Sequence, residues 1–198
     1  MSEKKIIKVD DIKNEADKRD CPVERAVYYV EEFLAGPMCG KCFPCALGSY
    51  EARIILYNII ENRGSEADMI NLNEIAKEML ISSRCKKGKD TARYILEWMG
   101  TDVFDKHIKG VCPSRTCAAF IEYRIINENC TACGICKDIC DYKAIYGEKV
   151  KPFINRFQPF EIRQQKCVKC GECMKVCPTG TIKLLSVKET AEKVKIGA

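Results

Sequence analysis

The sequence of 198 residues has a single histidine, a single tryptophan and no apolar run long enough to cross a bilayer. In its first twenty residues, MSEKKIIKVDDIKNEADKRD, apolar residues never extend beyond a pair, so no secretory signal peptide is predicted. It contains neither the G-x-G-x-x-G pattern of dinucleotide-binding loops nor the Walker A pattern. These absences predict a cytoplasmic protein without a nucleotide-cofactor loop, and one histidine provides no catalytic dyad.

Cysteine, in contrast, is abundant, with fifteen residues. Because cytosolic thiols are kept reduced, so many cysteines without an export signal indicate metal binding rather than disulfides. Eleven of them lie in three tight runs, in which short loops can direct several sulfur atoms at one point but could hardly form unstrained bridges. The sequence therefore predicts metal or iron–sulfur sites.

The chain is predicted to have two different halves. Apolar periodicity indicates helices at 22–35, at about 46–62, at 71–82 and at 90–99. From Cys130 onward, cysteine runs alternate with short strand-like segments, so we expect an α+β protein. The predicted parts are an N-terminal extension (1–20), a helical-bundle domain (21–104), a linker (105–126), a cysteine-rich domain (127–185) and a tail (186–198).

The second half contains an internal repeat. Residues 130–145 and 167–182 align cysteine for cysteine at a separation of 37 residues, and each has the spacing C-x2-C-x2-C-x3-C. This is the signature of bacterial ferredoxins with two [4Fe–4S] clusters, in which the fourth cysteine of each run binds the other cluster. The predicted ligands of the first cluster are Cys130, Cys133, Cys136 and Cys177. Those of the second are Cys167, Cys170, Cys173 and Cys140. Two zinc sites are the alternative, but four-sulfur zinc loops usually pair two C-x2-C knuckles.

A third cysteine run, C-G-K-C-F-P-C at 39–45, lies in the first half and is followed much later by Cys85. The segment from about Cys21 to Trp98 resembles the cluster domain of the flavoprotein subunit that oxidises NADH in respiratory complex I and in electron-bifurcating hydrogenases. In that family a C-G-x-C-x-P-C turn opens a helix, and a later cysteine completes one [4Fe–4S] cluster. The resemblance implies these ligands for a third cluster: Cys39, Cys42, Cys45 and Cys85.

The resemblance extends over residues 23–185, because the hydrogenase-type subunits carry a stretch like 107–125 and then a two-cluster ferredoxin. The large FMN- and NADH-binding module of that family has no counterpart in this sequence, so no flavin is expected to bind this chain alone. The resemblance implies protein partners: an FMN/NADH flavoprotein, a thioredoxin-like [2Fe–2S] subunit, or a catalytic dehydrogenase, hydrogenase or aldehyde oxidoreductase. Free ferredoxin is a further implied donor or acceptor.

Three cysteines and the histidine remain without a cluster. His107, Cys112 and Cys117 could supply three ligands from one segment, and Cys21 would be the fourth. Three sulfurs and one imidazole suit tetrahedral zinc, so we predict a structural zinc ion at the junction of the two halves. The alternative is that the cysteines are buried small apolar residues and the histidine is a solvated helix-end residue.

The sequence therefore predicts an electron-relay subunit of a larger oxidoreductase, without substrate chemistry of its own. A freestanding ferredoxin-like carrier is the main alternative, although a carrier would need only the second half. A zinc- or redox-sensing regulator is disfavoured because no nucleic-acid module is recognisable. The formal charge of +5 does not indicate nucleic-acid binding, since three clusters would add roughly six negative charges.

Overall fold

The computed structural model describes residues 8–149 and 160–188, which belong to two compact units, Met1–Phe120 and Ile121–Ala198. The first unit is helical, and the second is a small mixed unit of short helices and strands. The α+β class predicted from the sequence is therefore confirmed. No helix in the described ranges combines the length and the apolar character that a membrane-spanning segment needs.

The first unit consists of six α-helices and a final 3-10 turn among its described residues. The helices are α1 (Val9–Ala16), α2 (Pro22–Ala35), α3 (Phe43–Ile60), α4 (Glu66–Ser82), α5 (Lys86–Met99) and α6 (Asp102–Ile108). Proline at the first position of α2 suits the N-terminus of a helix, because its missing N–H would have no partner there. A capping box fixes the start of α4, where the Ser65 hydroxyl accepts from the backbone N–H of Asp68.

The core of this unit lies between α2, α3, α4 and α5. Apolar residues three or four positions apart on α2, such as Val23, Val27 and Val30, are buried, as the periodicity predicts. They pack in one cluster with Leu56 and Ile95. Each such side chain contributes about 1.5–3 kcal/mol on burial, so this core holds the helix ends that carry the cysteines.

The predicted helices differ from the observed ones mainly at their N-termini. Helix α3 begins three residues earlier than expected, α4 five residues earlier and α5 four residues earlier. Acidic residues or lysines open α4 and α5, and α3 opens with an exposed Phe43 followed by Pro44 and Cys45, so these turns do not extend the apolar pattern on which the prediction depended. Helix α1 lies within the predicted extension, where Ile12 and Ala16 are buried against Tyr29 and Tyr94.

The second unit contains two two-stranded antiparallel sheets among its described residues. Strands β1 (Ile121–Ile125) and β4 (Ile182–Ser186) pair in one sheet, and β2 (Ile145–Tyr146) and β3 (Glu161–Ile162) pair in the other. The short helices are α7 (Ile135–Asp138) and α8 (Glu172–Lys175). Each follows a glycine with positive φ, 82° at Gly134 and 78° at Gly171, a conformation that other residues rarely adopt.

The predicted linker of residues 105–126 has no separate counterpart in the structure. Its first part belongs to the helical unit, which ends at Phe120, and β1 of the second unit begins at the next residue. The predicted tail begins within β4, which ends at Ser186, and its last ten residues lie outside the described ranges. His107, placed in the linker by the sequence, is part of α6.

Candidate metal centres

In the helical unit, the four predicted cluster cysteines line one cavity. Two of them occupy helix N-termini, because Cys42 is the N-cap of α3 and Cys85 is the N-cap of α5. Cys45 follows in the first turn of α3, and Cys39 lies in the preceding loop. Unpaired N–H groups and the positive end of the helix dipole both favour negative charge at such positions. The cavity thus gathers four thiols at two helix ends.

The thiols in this cavity affect one another electrostatically. Burial raises the pKa of Cys45 to about 11, and the neighbouring Cys42 and Cys85 sulfurs add to the rise. A backbone N–H of Arg84 donates to the Cys42 sulfur and lowers the pKa of that thiol. Since a bound cationic centre would remove the repulsion between thiolates, the donor set fits a thiolate-ligated iron–sulfur cluster.

The first cavity of the second unit is lined by Cys130, Cys133, Cys136 and Cys177. Burial raises the pKa of Cys136 to about 11. Burial also acts to raise the pKa of Cys177, but hydrogen bonds from Thr181 and Thr179 outweigh it and lower the value to about 6. The two hydroxyl oxygens lie 3.3 and 3.6 Å from the Cys177 Sγ. This remote cysteine is therefore favoured as a thiolate.

The other cavity of the second unit is lined by Cys140, Cys167, Cys170 and Cys173. Each cavity thus combines three cysteines of one run with the last cysteine of the other run. Cys173 matches its repeat partner Cys136, since burial raises its pKa to about 11. The backbone N–H of Ala144 points to the Cys140 Sγ at 3.4 Å. The grouping of the eight cysteines follows the crossed pattern expected from their spacing.

The remaining three cysteines and His107 form a separate buried group within the helical unit. The ligand atoms of Cys21, His107, Cys112 and Cys117 all lie within 4.8 Å of one another. The Nε2 atom of His107 is 3.4 Å from the Cys21 Sγ and 3.5 Å from the Cys117 Sγ, and the Cys112 and Cys21 sulfurs are 4.0 Å apart. All four side chains are buried. The expected alternative of a solvated histidine is therefore wrong.

These distances suit a tetrahedral metal ion. Zinc bonds of about 2.3 Å to sulfur and about 2.0 Å to nitrogen would place tetrahedral S and N ligands about 3.5 Å apart and S ligands about 3.8 Å apart. The Nδ1–H of His107 donates to the Val103 carbonyl at 2.8 Å, which leaves Nε2 to face the three sulfurs. Although burial lowers the pKa of His107, hydrogen bonds to Cys112 and Cys21 raise it to about 10. The neighbouring thiols therefore favour a positive charge on the imidazole.

The groups that support these ligands were not predicted from the sequence. The Val103 carbonyl orients His107 from one turn earlier on α6, and Thr179 and Thr181 contact Cys177 from the residues that follow it. The C-P-T-G-T segment at 177–181 could have indicated this contact, because its two threonines flank a turn directly after the ligand Cys177. The carbonyl has no sequence signal, because every residue has one.

Comparison with known proteins identifies two iron–sulfur regions in the chain. Residues 25–107 match the NADH-ubiquinone oxidoreductase-F iron–sulfur binding region, and residues 129–181 match the 4Fe-4S dicluster domain. These matches confirm the resemblance that the cysteine spacing and the flanking segments suggested.

Several larger proteins are similar to part of this chain. NADP-reducing hydrogenase subunit HndC of Solidesulfovibrio fructosivorans is 32% identical over 139 residues, which cover 69% of this chain and 28% of that protein. The F subunit of the NADH-quinone oxidoreductase of Streptomyces coelicolor is 35% identical over 100 residues, 49% of this chain and 22% of the relative. The F subunit of Mycobacterium tuberculosis is 32% identical over 100 residues, again 49% of this chain and 22% of the relative. The chain thus spans about a quarter of the length of these curated relatives.

Proposed function

Because the chain joins an oxidoreductase-F-type iron–sulfur region to a 4Fe-4S dicluster domain, we propose that it is an electron-transfer subunit. It holds three [4Fe–4S] clusters and relays electrons inside a larger cytoplasmic oxidoreductase complex. The observation that best supports this function is that three separate cavities are each lined by four cysteines. Twelve cysteines in three groups of four are the number of ligands that three such clusters require.

In this function, the chain's own residues bind the clusters and set their electrostatic surroundings. The clusters, when bound, supply one-electron oxidation and reduction. The N-termini of α3 and α5 favour the negative charge of a cluster held by Cys42, Cys45 and Cys85. The hydroxyls of Thr179 and Thr181 do the same at Cys177. Such donors favour the reduced state, because reduction adds one negative charge.

Substrate chemistry is assigned to partner chains. The single histidine of the sequence lies in the buried group with Cys21, Cys112 and Cys117, where it is not available as a proton donor or acceptor for a substrate. A catalytic oxidoreductase subunit, an FMN/NADH flavoprotein or a [2Fe–2S] subunit would therefore deliver or remove the electrons, and free ferredoxin is a further exchange partner. HndC is named as a subunit of an NADP-reducing hydrogenase, which favours a multi-subunit complex over a freestanding carrier.

Isolation of the native protein tests this function. We expect anaerobic purification through a tag on this chain to recover other redox subunits and about twelve irons per copy of the chain. The measurements are mass spectrometry of the co-purifying proteins and an iron assay normalised to this chain. A protein that is recovered as a monomer with full iron content would instead be a freestanding carrier. About eight irons or fewer would contradict the proposal of three clusters.

The crossed ligand assignment in the second unit predicts different outcomes for two matched variants. Both carry alanine at Cys130, Cys133 and Cys136. Adding Cys177→Ala leaves a complete second ligand set, so about eight irons per chain are expected to remain. Adding Cys140→Ala instead leaves the second cluster with three ligands and the first with Cys177 alone, so about four irons are expected. The measurement is iron per chain after anaerobic reconstitution, and the reverse order would show that each run holds its own cluster.

We further propose that Cys21, His107, Cys112 and Cys117 bind one structural zinc ion. The supporting observation is the burial of three sulfurs and one imidazole nitrogen within 4.8 Å of one another. Zinc with four protein ligands has no open position for substrate, so its role is structural. It would join the start of α2 to α6 and to the loop that follows α6, and this would hold the C-terminal end of the helical unit in place.

A further inference from the structure

Two serine hydroxyls beside the cysteine cavity of the helical unit are buried without a hydrogen-bond partner. Ser49 lies in α3, and Ser83 directly follows α4. Their exposed fractions are 0% and 3%, and neither Oγ has a partner among the described residues. Buried hydroxyls are normally paired in native proteins, because an unpaired one forfeits its bonds to water. Two such groups next to one site point to an acceptor located there.

The position of Ser83 is fixed by its contact with α5. A Cβ placed on Gly88 would lie 2.8 Å from the Ser83 Oγ and 3.0 Å from the Cys45 Sγ. The hydroxyl and the sulfur therefore occupy the same side of α5, at the one residue of its first turn that has no side chain. Any larger residue at this position would separate them.

Ser49 approaches the same sulfur from within α3, one helical turn after Cys45. The two residues are four positions apart on α3 and both are buried, so their side chains lie on the same side of the helix. Many buried hydroxyls in helices donate to the carbonyl four residues earlier, as Thr91 of α5 does to Lys87 at 3.0 Å. Ser49 makes no such bond, so its hydrogen remains available to an acceptor on the side of Cys45.

We propose that Ser49 and Ser83 donate hydrogen bonds to the sulfur atoms of the helical-unit cluster near Cys45 and thereby raise its reduction potential. This inference rests on the proposed function, because it requires a cluster in that cavity. An O–H donor stabilises the reduced cluster more than the oxidised one, since the added electron increases the negative charge on sulfur. The two serines thereby set the potential at which this cluster accepts an electron.

The test is a redox titration of the full chain, reconstituted anaerobically and followed by EPR, for Ser49→Ala and Ser83→Ala. We expect one of three reduction steps to move to lower potential while the other two stay in place. At a fixed ambient potential, the ratio of reduced to oxidised cluster should fall about three- to tenfold for each serine, where tenfold corresponds to about 59 mV for one electron. The matched control is Thr91→Val, which removes a buried hydroxyl that is bonded to the helix backbone.

Unchanged reduction steps in both alanine variants would overturn the inference, and so would an equal shift in Thr91→Val, which would indicate looser packing instead. If a variant does not assemble the cluster, the unmodified protein is refolded and reconstituted in D2O. The number of deuterons coupled to the reduced cluster is then compared with the number in the alanine variant that still assembles the cluster. Fewer coupled deuterons in that variant support the inference, and no coupled deuterons in the unmodified protein contradict it. About eight irons in the unmodified protein would instead refute the proposed function itself.

Discussion

Replacing Cys85 with alanine is expected to remove the cluster of the helical unit and lower the iron content from about twelve to about eight atoms per chain. Cys85 is separated from Cys45 by the rest of α3 and by α4, and it reaches the cavity as the N-cap of α5. Alanine is preferable to serine because a serine oxygen could itself bind iron. The measurements are iron per chain and a redox titration. The number of reduction steps in the titration should fall from three to two.

A matched control is Ser65→Ala, which removes the N-cap of α4 without touching the cysteine cavity. The Ser65 side chain accepts from the Asp68 N–H at 3.3 Å, so its loss should cost about 1 kcal/mol of stability and no iron. A three-iron cluster on Cys39, Cys42 and Cys45 would give an intermediate iron count and an EPR signal in the oxidised state. Unaltered iron and three unaltered reduction steps in Cys85→Ala would remove this cysteine from the ligand set.

Loss of the zinc site is expected to destabilise the helical unit strongly. We predict about one zinc per chain in the pure, cluster-replete protein and close to none in Cys112→Ser, a substitution that changes one ligand with little change in volume. A ligand that binds the folded state at a thousandfold excess over its dissociation constant contributes about 4 kcal/mol. In a unit of this size, that loss should lower the melting temperature by on the order of 10 °C. The measurements are metal analysis and thermal unfolding.

Ser114→Ala is the control for this variant. The Ser114 hydroxyl donates to the Asp20 carbonyl at 3.2 Å, so it joins the same two segments as the metal ligands without belonging to them. This variant should keep its zinc and most of its stability. Substitution of cobalt(II) gives a second measurement, because tetrahedral thiolate coordination produces intense visible absorption. Zinc far below one per chain in the unmodified protein would contradict the site.

The cysteine pattern of the second unit could be predicted because its information is local. Three cysteines at x2 spacing within a short loop converge on one point, and the repeat at 37 residues identifies the fourth partner by symmetry. The helices were also predictable where an apolar face packs on the core, as in α2. Their starts were not, because the first turns of α3 and α5 face the cysteine cavity and lack that face.

The sequence by itself determined the candidate metal ligands, since thiols in these spacings and the single imidazole suit iron and zinc. Tertiary structure decided what lies next to them. It brought Cys21 within 3.4 Å of His107 across 86 residues, and it placed Ser49 and Ser83 close to Cys45. A hydroxyl or a remote thiol carries no periodic signal, and only the packing of the helices brings such groups to a common point.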